Sequence, residues 1–322
     1  MNLKETDYKL LSYLYHNYDE PLSKIAKNTK LSRDQVGYRI NKYLKEGLIR
    51  KFSPVFDWSK LGYDVFIILL LKFEKSKMAE DFSKDLNKSK NCMSYGKVYG
   101  KYDLYLNCIF KDEKELNEFI SKLFENENQF IIDYILIKPQ FIELYPLKFF
   151  YDINKEDYEI ISSDSKNEIK LDKTDLKILK ILSENGRTKL IDIAIKSKIS
   201  SVLALYRLKK LKKEKIIFGN RIQFNMSSLG YFFTLILIDF RNFSKKNKEK
   251  IKYFAKNSKD TNSLIFNLQK PNCIIQLFHK EEGELRDNVE KIKELFKEEC
   301  IEINVLQIGE DLEKVRPLPF IH

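Results

Sequence analysis

"LSRDQVGYRINKYLKEGLI", residues 31–49, sets the reading of the whole chain. Ser32 is a helix-capping residue, and Val36, Ile40, Tyr43 and Leu44 recur at the spacing of one inward face until Gly47 stops the helix. Upstream, Thr6 can cap a helix with Tyr8, Leu11 and Leu14 on one face, and Leu22, Ile25 and Ala26 mark a shorter second helix. A short second helix, a tight turn and a longer third helix is the helix-turn-helix pattern. Downstream, "LIRKFSPVFD" reads as two extended runs interrupted by Ser53-Pro54, which predicts a β-hairpin wing.

The same frame returns. Residues Leu3–Tyr63 overlie Leu171–Tyr231 without a gap, with roughly a third of the pairs identical. Thr6-Asp7 matches Thr174-Asp175, Tyr38-Arg39 matches Tyr206-Arg207, and Leu61-Gly62-Tyr63 matches Leu229-Gly230-Tyr231. One inserted residue later the repeat continues. In each copy the period then changes to strand 64–73, helix 77–86, strands 93–99 and 102–110 around Gly100, helix 113–125 and strand 130–137, the β-α-β-β-α-β order of a ferredoxin-like domain. The expected class is α+β: winged helix-turn-helix 1–60, ferredoxin-like domain 61–150, linker 151–170, winged helix-turn-helix 171–228 and ferredoxin-like domain 229–322.

Charge is segregated along this plan. The 58 basic and 47 acidic side chains leave a net charge of +11. Residues 1–60 carry about +5 and residues 171–228 about +9, so the helix-turn-helix segments hold more than the whole excess. A merely solvating surface has no need of that segregation; phosphate-binding modules do. Cys92, Cys108, Cys273 and Cys300 lie far apart with no C-x-x-C and are expected as buried free thiols in a reducing cytosol. The longest apolar run, Val65–Leu71, is far shorter than the roughly 20 residues that span a bilayer, and no export signal opens the chain. A cytoplasmic protein with no membrane partner is expected.

Thr6-Asp7, the stretch at 31–49, "KLGY" and "GKYD" (Gly100–Asp103), in this order, make the chain resemble the Lrp/AsnC family of transcription regulators, twice over. The resemblance implies double-stranded DNA as partner, sheet-to-sheet pairing of the two ferredoxin-like domains into an intrachain pseudo-dimer with room for higher oligomers, and a small effector such as an amino acid. It places the effector near Gly100, Lys101, Tyr102 and Asp103, where Gly permits close backbone approach and Asp103 offers a carboxylate to an ammonium. An ordinary hairpin connection reads the same way. The second copy has Gln269-Lys270-Pro271-Asn272 there, which puts a second site in doubt.

The N-terminal turn of a reading helix points at base edges, so Arg33, Asp34, Gln35 and Tyr38 are the expected base readers, with Ser32 beside them at the DNA interface and Arg39 and Lys42 on phosphate. In the second copy Arg33, Asp34, Gln35 and Gly37 become Ser201, Val202, Leu203 and Leu205. Arg207, Lys209, Lys210, Lys212 and Lys213 remain for the DNA backbone, with Ser201 and Tyr206 beside them at the expected DNA interface, while Val202 and Leu205 suit either thymine methyls or packing against another domain or subunit. His16, His279 and His322 fit no nucleophile or metal spacing, so no catalytic residue, metal or cofactor is expected and the chain reads as a non-enzyme. Siroheme decarboxylases resemble the same fused architecture and give one alternative reading; a DNA-free sensor or architectural protein is the other. Six of the nine Arg lie in the helix-turn-helix segments, leaving Arg241, Arg286 and Arg316 elsewhere for a substrate rich in carboxylates.

Overall fold

Residues Ile49–Phe56 form one strand, not the two arms of a hairpin, and this governs how the chain is assembled. The computed structural model describes residues 3–127, 130–148, 159–162, 169–309 and 315–321. The first copy runs α1 (Glu5–Asn17), α2 (Leu22–Thr29), α3 (Arg33–Lys45), β1 (Ile49–Phe56), β2 (Val65–Phe73), α4 (Ser76–Leu86), β3 (Cys92–Tyr99), β4 (Leu104–Phe110), α5 (Glu113–Glu127), β5 (Ile131–Ile137) and β6 (Pro139–Leu144), followed by β7 (Glu159–Ser162). The second repeats the order as α6 (Lys173–Glu184), α7 (Leu190–Ser197), α8 (Ser201–Lys213), β8 (Ile217–Phe224), β9 (Phe232–Phe240), α9 (Lys245–Asn257), β10 (Thr261–Asn267), β11 (Cys273–His279), α10 (Glu282–Phe296) and β12 (Cys300–Gly309). The copies do not fold as two beads. Met1–Gly62, Lys166–Leu229 and Arg316–His322 gather into one unit, and Tyr63–Ser165 with Gly230–Val315 into another.

In the first unit each helix-turn-helix is built from local signals. Ser32 Oγ accepts from the Gln35 amide at 3.1 Å while Gln35 Oε1 accepts from the Ser32 amide at 2.8 Å, a reciprocal cap that starts α3. Ser200 Oγ caps α8 by accepting from the Leu203 amide at 3.2 Å. The tight turn before each reading helix is a lysine, Lys30 or Lys198, held at a φ of 57° or 58°. The first helix begins after Lys4, not Thr6: the Asp7 carboxylate reaches back to accept from the Lys4 amide at 2.9 Å.

The expected wing is replaced by a strand shared between copies. β1 pairs antiparallel with β8, and Ser53 sits opposite Arg221, the residue with which the repeat aligns it. A residue facing its own counterpart lies on a twofold axis, here a pseudo-twofold within one chain. Tyr18 and Gly186, also repeat counterparts, meet in the same way: a Cβ added at Gly186 would lie 2.3 Å from the Tyr18 hydroxyl oxygen. Polar cross-copy contacts close the seam, among them the Gly186 amide donating to Phe52 O at 2.8 Å and Asn220 Nδ2 donating to Asp19 Oδ1 at 2.8 Å.

In the second unit one ten-stranded sheet runs β5-β2-β4-β3-β12-β9-β11-β10-β6-β7. The two β-α-β-β-α-β cores keep the ferredoxin-like order, and the apolar run of β2 is explained by burial on both faces. Ile67, Leu69 and Leu71 pack beneath α4 and α5, whereas Ile68 and Leu70 share a second core with Phe233, Leu235 and Leu237 of the other copy. In β9 the complementary residues Ile236, Ile238 and Phe240 face α9 and α10. The sheets of the two copies are therefore packed together within one chain.

β6 was not visible as a strand in the sequence. It leaves the first copy to pair with β10 of the second, Pro139 opposite Asn267, and the end of β12 makes the corresponding pair with β3, Ile308 opposite Val98. The two pairs are repeat counterparts, so this unit has a pseudo-twofold of its own. The expected linker, 151–170, includes a short strand, β7, which pairs with β6, while 151–158 and 163–168 lie outside the described residues.

Because Gly186 has no room for a methyl, Gly186→Ala is expected to destabilise the chain by about 1–3 kcal/mol through overpacking. Adding Tyr18→Phe, which removes the nearest atom, should recover part of the loss in thermal melts. Equal destabilisation with and without Tyr18→Phe would mean that the hydroxyl is not the obstacle.

Candidate nucleic-acid interface

The tip of α3 is open. Ser32, Arg33, Asp34, Gln35 and Tyr38 are all exposed, Tyr38 by 70%, while Val36, Ile40 and Tyr43 are buried beneath them. Leu44, expected inward, is 42% exposed. Gln35 has its amide oxygen in the cap, so any contact it makes with a base must exchange that bond or use its NH2 group. Lys42 is exposed beside Glu46, 3.9 Å away, a solvent-facing pair of little strength.

Arg39 is placed differently from the expectation. Its guanidinium turns inward to Asp7, whose carboxylate also accepts from the Tyr43 hydroxyl at 2.5 Å, so α1 and α3 are locked together. Burial opposes the Asp7 charge, but Tyr43, the Lys4 amide and Arg39 together hold its pKa below the ordinary carboxylate value. The second copy repeats the lock: Arg207 pairs with Asp172 and, at 3.0 Å, with Asp175. The Thr-Asp and Tyr-Arg pairs shared by the copies thus mark a helix-to-helix clamp more than a phosphate contact. The missed signal was the co-occurrence of Asp7 with Arg39 and Asp175 with Arg207 in both copies.

The second tip is exposed but apolar. Val202 is 80% and Tyr206 64% exposed, with Leu203 and Leu205 partly so; Ser201 and Lys209 are exposed and Lys210 is half-buried, 4.0 Å from Glu214.

At the expected effector position the residues are committed to the fold. Asp103 is buried and accepts from the Phe73 amide at 2.8 Å, Ser76 Oγ at 2.9 Å and Lys72 Nζ at 3.3 Å. The ammonium it holds is the chain's own. Gly100 has a φ of 140°, and an added Cβ would meet Leu306 Cδ2 at 3.1 Å; Tyr102 is buried, and Lys101 is exposed 3.7 Å from Asp133.

Cys92, Cys108 and Cys273 are buried free thiols, and the side chain of Cys300 lies outside the described residues. His279 is buried, 2.9 Å from Thr234 Oγ1, and burial lowers its pKa; His16 lies on α1, and His322 lies outside the described residues. Among the described residues no cluster of His, Cys, Asp and Glu could hold a metal ion, and no helix is long and apolar enough to cross a membrane.

Two helix-turn-helix modules joined through a strand from each copy, and two ferredoxin-like domains with paired sheets, define the class. Residues 3–50 and 171–217 match the model of a winged helix-turn-helix DNA-binding family. The chain is 32% identical over 120 residues to the HTH-type transcriptional regulator FL11 of Pyrococcus abyssi, covering 37% of this chain and 79% of that protein. With FL11 of Pyrococcus horikoshii the figures are 31% over 118 residues, 37% and 78%. The chain belongs to the Lrp/AsnC family of helix-turn-helix transcription regulators.

Its fold over the full length is also that of the siroheme decarboxylase NirDL, with a TM-score of 0.65 at 16% identity, covering 98% of this chain and 96% of that one. This overturns the expectation of a non-enzyme: two fused copies of this architecture form a known enzyme scaffold, and a lack of recognisable nucleophile or metal spacing does not exclude catalysis on it.

Arg39→Ala is expected to cost about 2 kcal/mol of stability, because it leaves the mostly buried Asp7 carboxylate without its cation. The sign with pH follows from the lowered Asp7 pKa: its contribution is full above the unfolded carboxylate pKa of about 3.9 and is lost as pH falls through the lower folded value. The melting-temperature gap between wild type and Asp7→Asn should therefore be constant above about pH 5 and close in acid. An Arg39→Ala protein of undiminished stability would return that residue to the DNA interface.

Proposed function

We propose that this chain is a sequence-specific, DNA-binding transcription regulator in which one polypeptide supplies both reading heads of a pseudo-dimer. The observation that supports the reading best is that the two heads keep one scaffold, the reading-helix caps, the turns and the Asp–Arg clamp included, while the exposed helix tips diverge. A fold kept in duplicate with its charge concentrated in the helix-turn-helix segments suits a polyanionic duplex. In the first head Arg33, Asp34, Gln35 and Tyr38 meet base edges and Lys42 a phosphate. In the second, Lys209 and Lys210 hold the DNA backbone near Ser201 and Tyr206, and base discrimination is weaker. Arg39 and Arg207 support the heads from within.

The preferred site is therefore asymmetric, with one sharp half-site. Selection from a random duplex pool tests this, and Arg33→Ala is expected to cost about 1–3 kcal/mol on the best sequence while relaxing preference there. Two equally sharp palindromic half-sites would mean that the apolar tip reads bases as well.

The full-length likeness to NirDL favours a second reading, an enzyme acting on a carboxylate-rich tetrapyrrole. Arg241 and Arg286 are the only arginines in 63–165 and 230–315, and both are exposed, so carboxylate recognition would fall mainly to lysines there. Titration with siroheme followed by absorbance separates the readings. A saturable shift of the visible bands with loss of carbon dioxide would establish the enzyme; an unchanged spectrum would leave the regulator.

A further inference from the structure

The pseudo-twofold of the helix-turn-helix unit relates two grooves, each framed by a reading helix of one copy and the first helix-to-helix turn of the other. They should be equivalent and are not. One is open, with a volume of about 400 Å3, and is floored by apolar side chains including Leu22, Ile40, Leu44 and Phe52. Arg50, Lys51, Arg187 and Lys189 line it, against one carboxylate, Glu184. Arg187 lies over the Phe52 ring at 5.6 Å and donates to Tyr18 O.

Its mate is bridged from within. There Asp19, the repeat counterpart of Arg187, takes Lys212 Nζ at 2.5 Å and Asn220 Nδ2 at 2.8 Å. Those two residues stand where the open groove has Leu44 and Phe52. Gly37, on the wall of the open groove, is Leu205 in the mate. The four cations correspond to Phe218, Gly219, Asp19 and Pro21, so the same fold forms on the other side with no cation at any of these positions. They are not needed to build the module. Burial also depresses the pKa of Lys51, against the pull of Glu184, and that of Arg187, against the pull of Asp19.

We propose that the open groove binds a small amphipathic carboxylate, an organic acid with an aliphatic or aromatic body and no ammonium group. The carboxylate would sit among Lys51, Arg187 and Lys189, and the body on Leu22, Ile40 and Leu44. The volume is in the range of small-molecule sites, and the mixture of apolar floor and few convergent charges is their usual composition. The bound acid would do across this seam what Asp19 does across the other, fixing the first reading helix against the second copy. A free amino acid fits less well, because its ammonium would enter a field of four cations. This inference does not depend on DNA binding.

Calorimetry on the full chain tests it with phenylpyruvate and 4-methyl-2-oxopentanoate, against phenylalanine, leucine and inorganic phosphate as probes of the ammonium and of the apolar body. One site per chain is expected for the oxo acids, at least tenfold tighter than for the amino acids or phosphate. Lys189→Ala should weaken it about tenfold. Gly37→Leu should abolish it, and the fold accepts Leu there since Leu205 occupies that place in the mate; a circular dichroism melt checks this. No saturable binding of either oxo acid, or binding indifferent to Gly37→Leu, overturns the proposal. So does loss of duplex affinity on Lys189→Ala in a chain that binds no small acid, which would make the groove a phosphate contact.

Discussion

The antiparallel pairing of β1 with β8 is the constraint on which the helix-turn-helix unit depends. A lone strand presents a row of backbone N–H and C=O groups, and leaving them buried and unpaired costs more than most side-chain contacts return. Each copy supplies only one strand, so its partners must come from the other copy. Backbone pairing centred on Ser53 and Arg221 asks little of side-chain identity, which is why Phe52 can face the seam in one copy and Asn220 in the other. β6 and the end of β12 apply the same rule in the second unit, each closing the edge of the other copy's sheet.

What the sequence disclosed was local or repeated. Helices with a single buried face, the Ser32 and Ser200 caps, the ferredoxin-like order and the duplication itself were all legible, because periodicity and capping act within a few residues. What it concealed was exchange. "LIRKFSPVFD" holds a strand's worth of extended residues, and nothing local says whether its partner lies two residues or 170 residues away; Ser53-Pro54 suggested a turn, yet proline is tolerated in this strand of a two-stranded sheet, which has a free edge. β6 was hidden for a similar reason: it begins at a proline, and its stabilising partner belongs to the other copy.

The site residues divide along the same line. Exposure at the polar tip of α3 was readable from its side chains, but the inward turn of Arg39 was not, since an arginine about two turns from a helix start is equally compatible with phosphate or a carboxylate. Only the position of Asp7 on the neighbouring helix decides it. The pairing of Asp103 with Phe73, Ser76 and Lys72 shows the same limit: a Gly-x-x-Asp turn that resembles a ligand cradle is occupied by the chain's own backbone amide, hydroxyl and ammonium.

Fusion changes what symmetry demands. In a homodimer every substitution appears on both sides of the axis, so a groove cannot be opened on one side and latched on the other, nor can one reading tip become apolar while its mate stays polar. Joining the copies in one chain removes that constraint while backbone pairing keeps the geometry of both halves. The pairs Arg187 and Asp19, Gly37 and Leu205, and Asp34 and Val202 are the result: counterparts under one scaffold with opposite chemistry. The scaffold residues, among them the Asp–Arg clamps and the αL lysines of the turns, have stayed alike because each half still has to fold. The exchanges that reverse charge or polarity, as in these three pairs, fall where side chains meet solvent or the seam, whereas a buried exchange such as Val36 for Ala204 stays apolar.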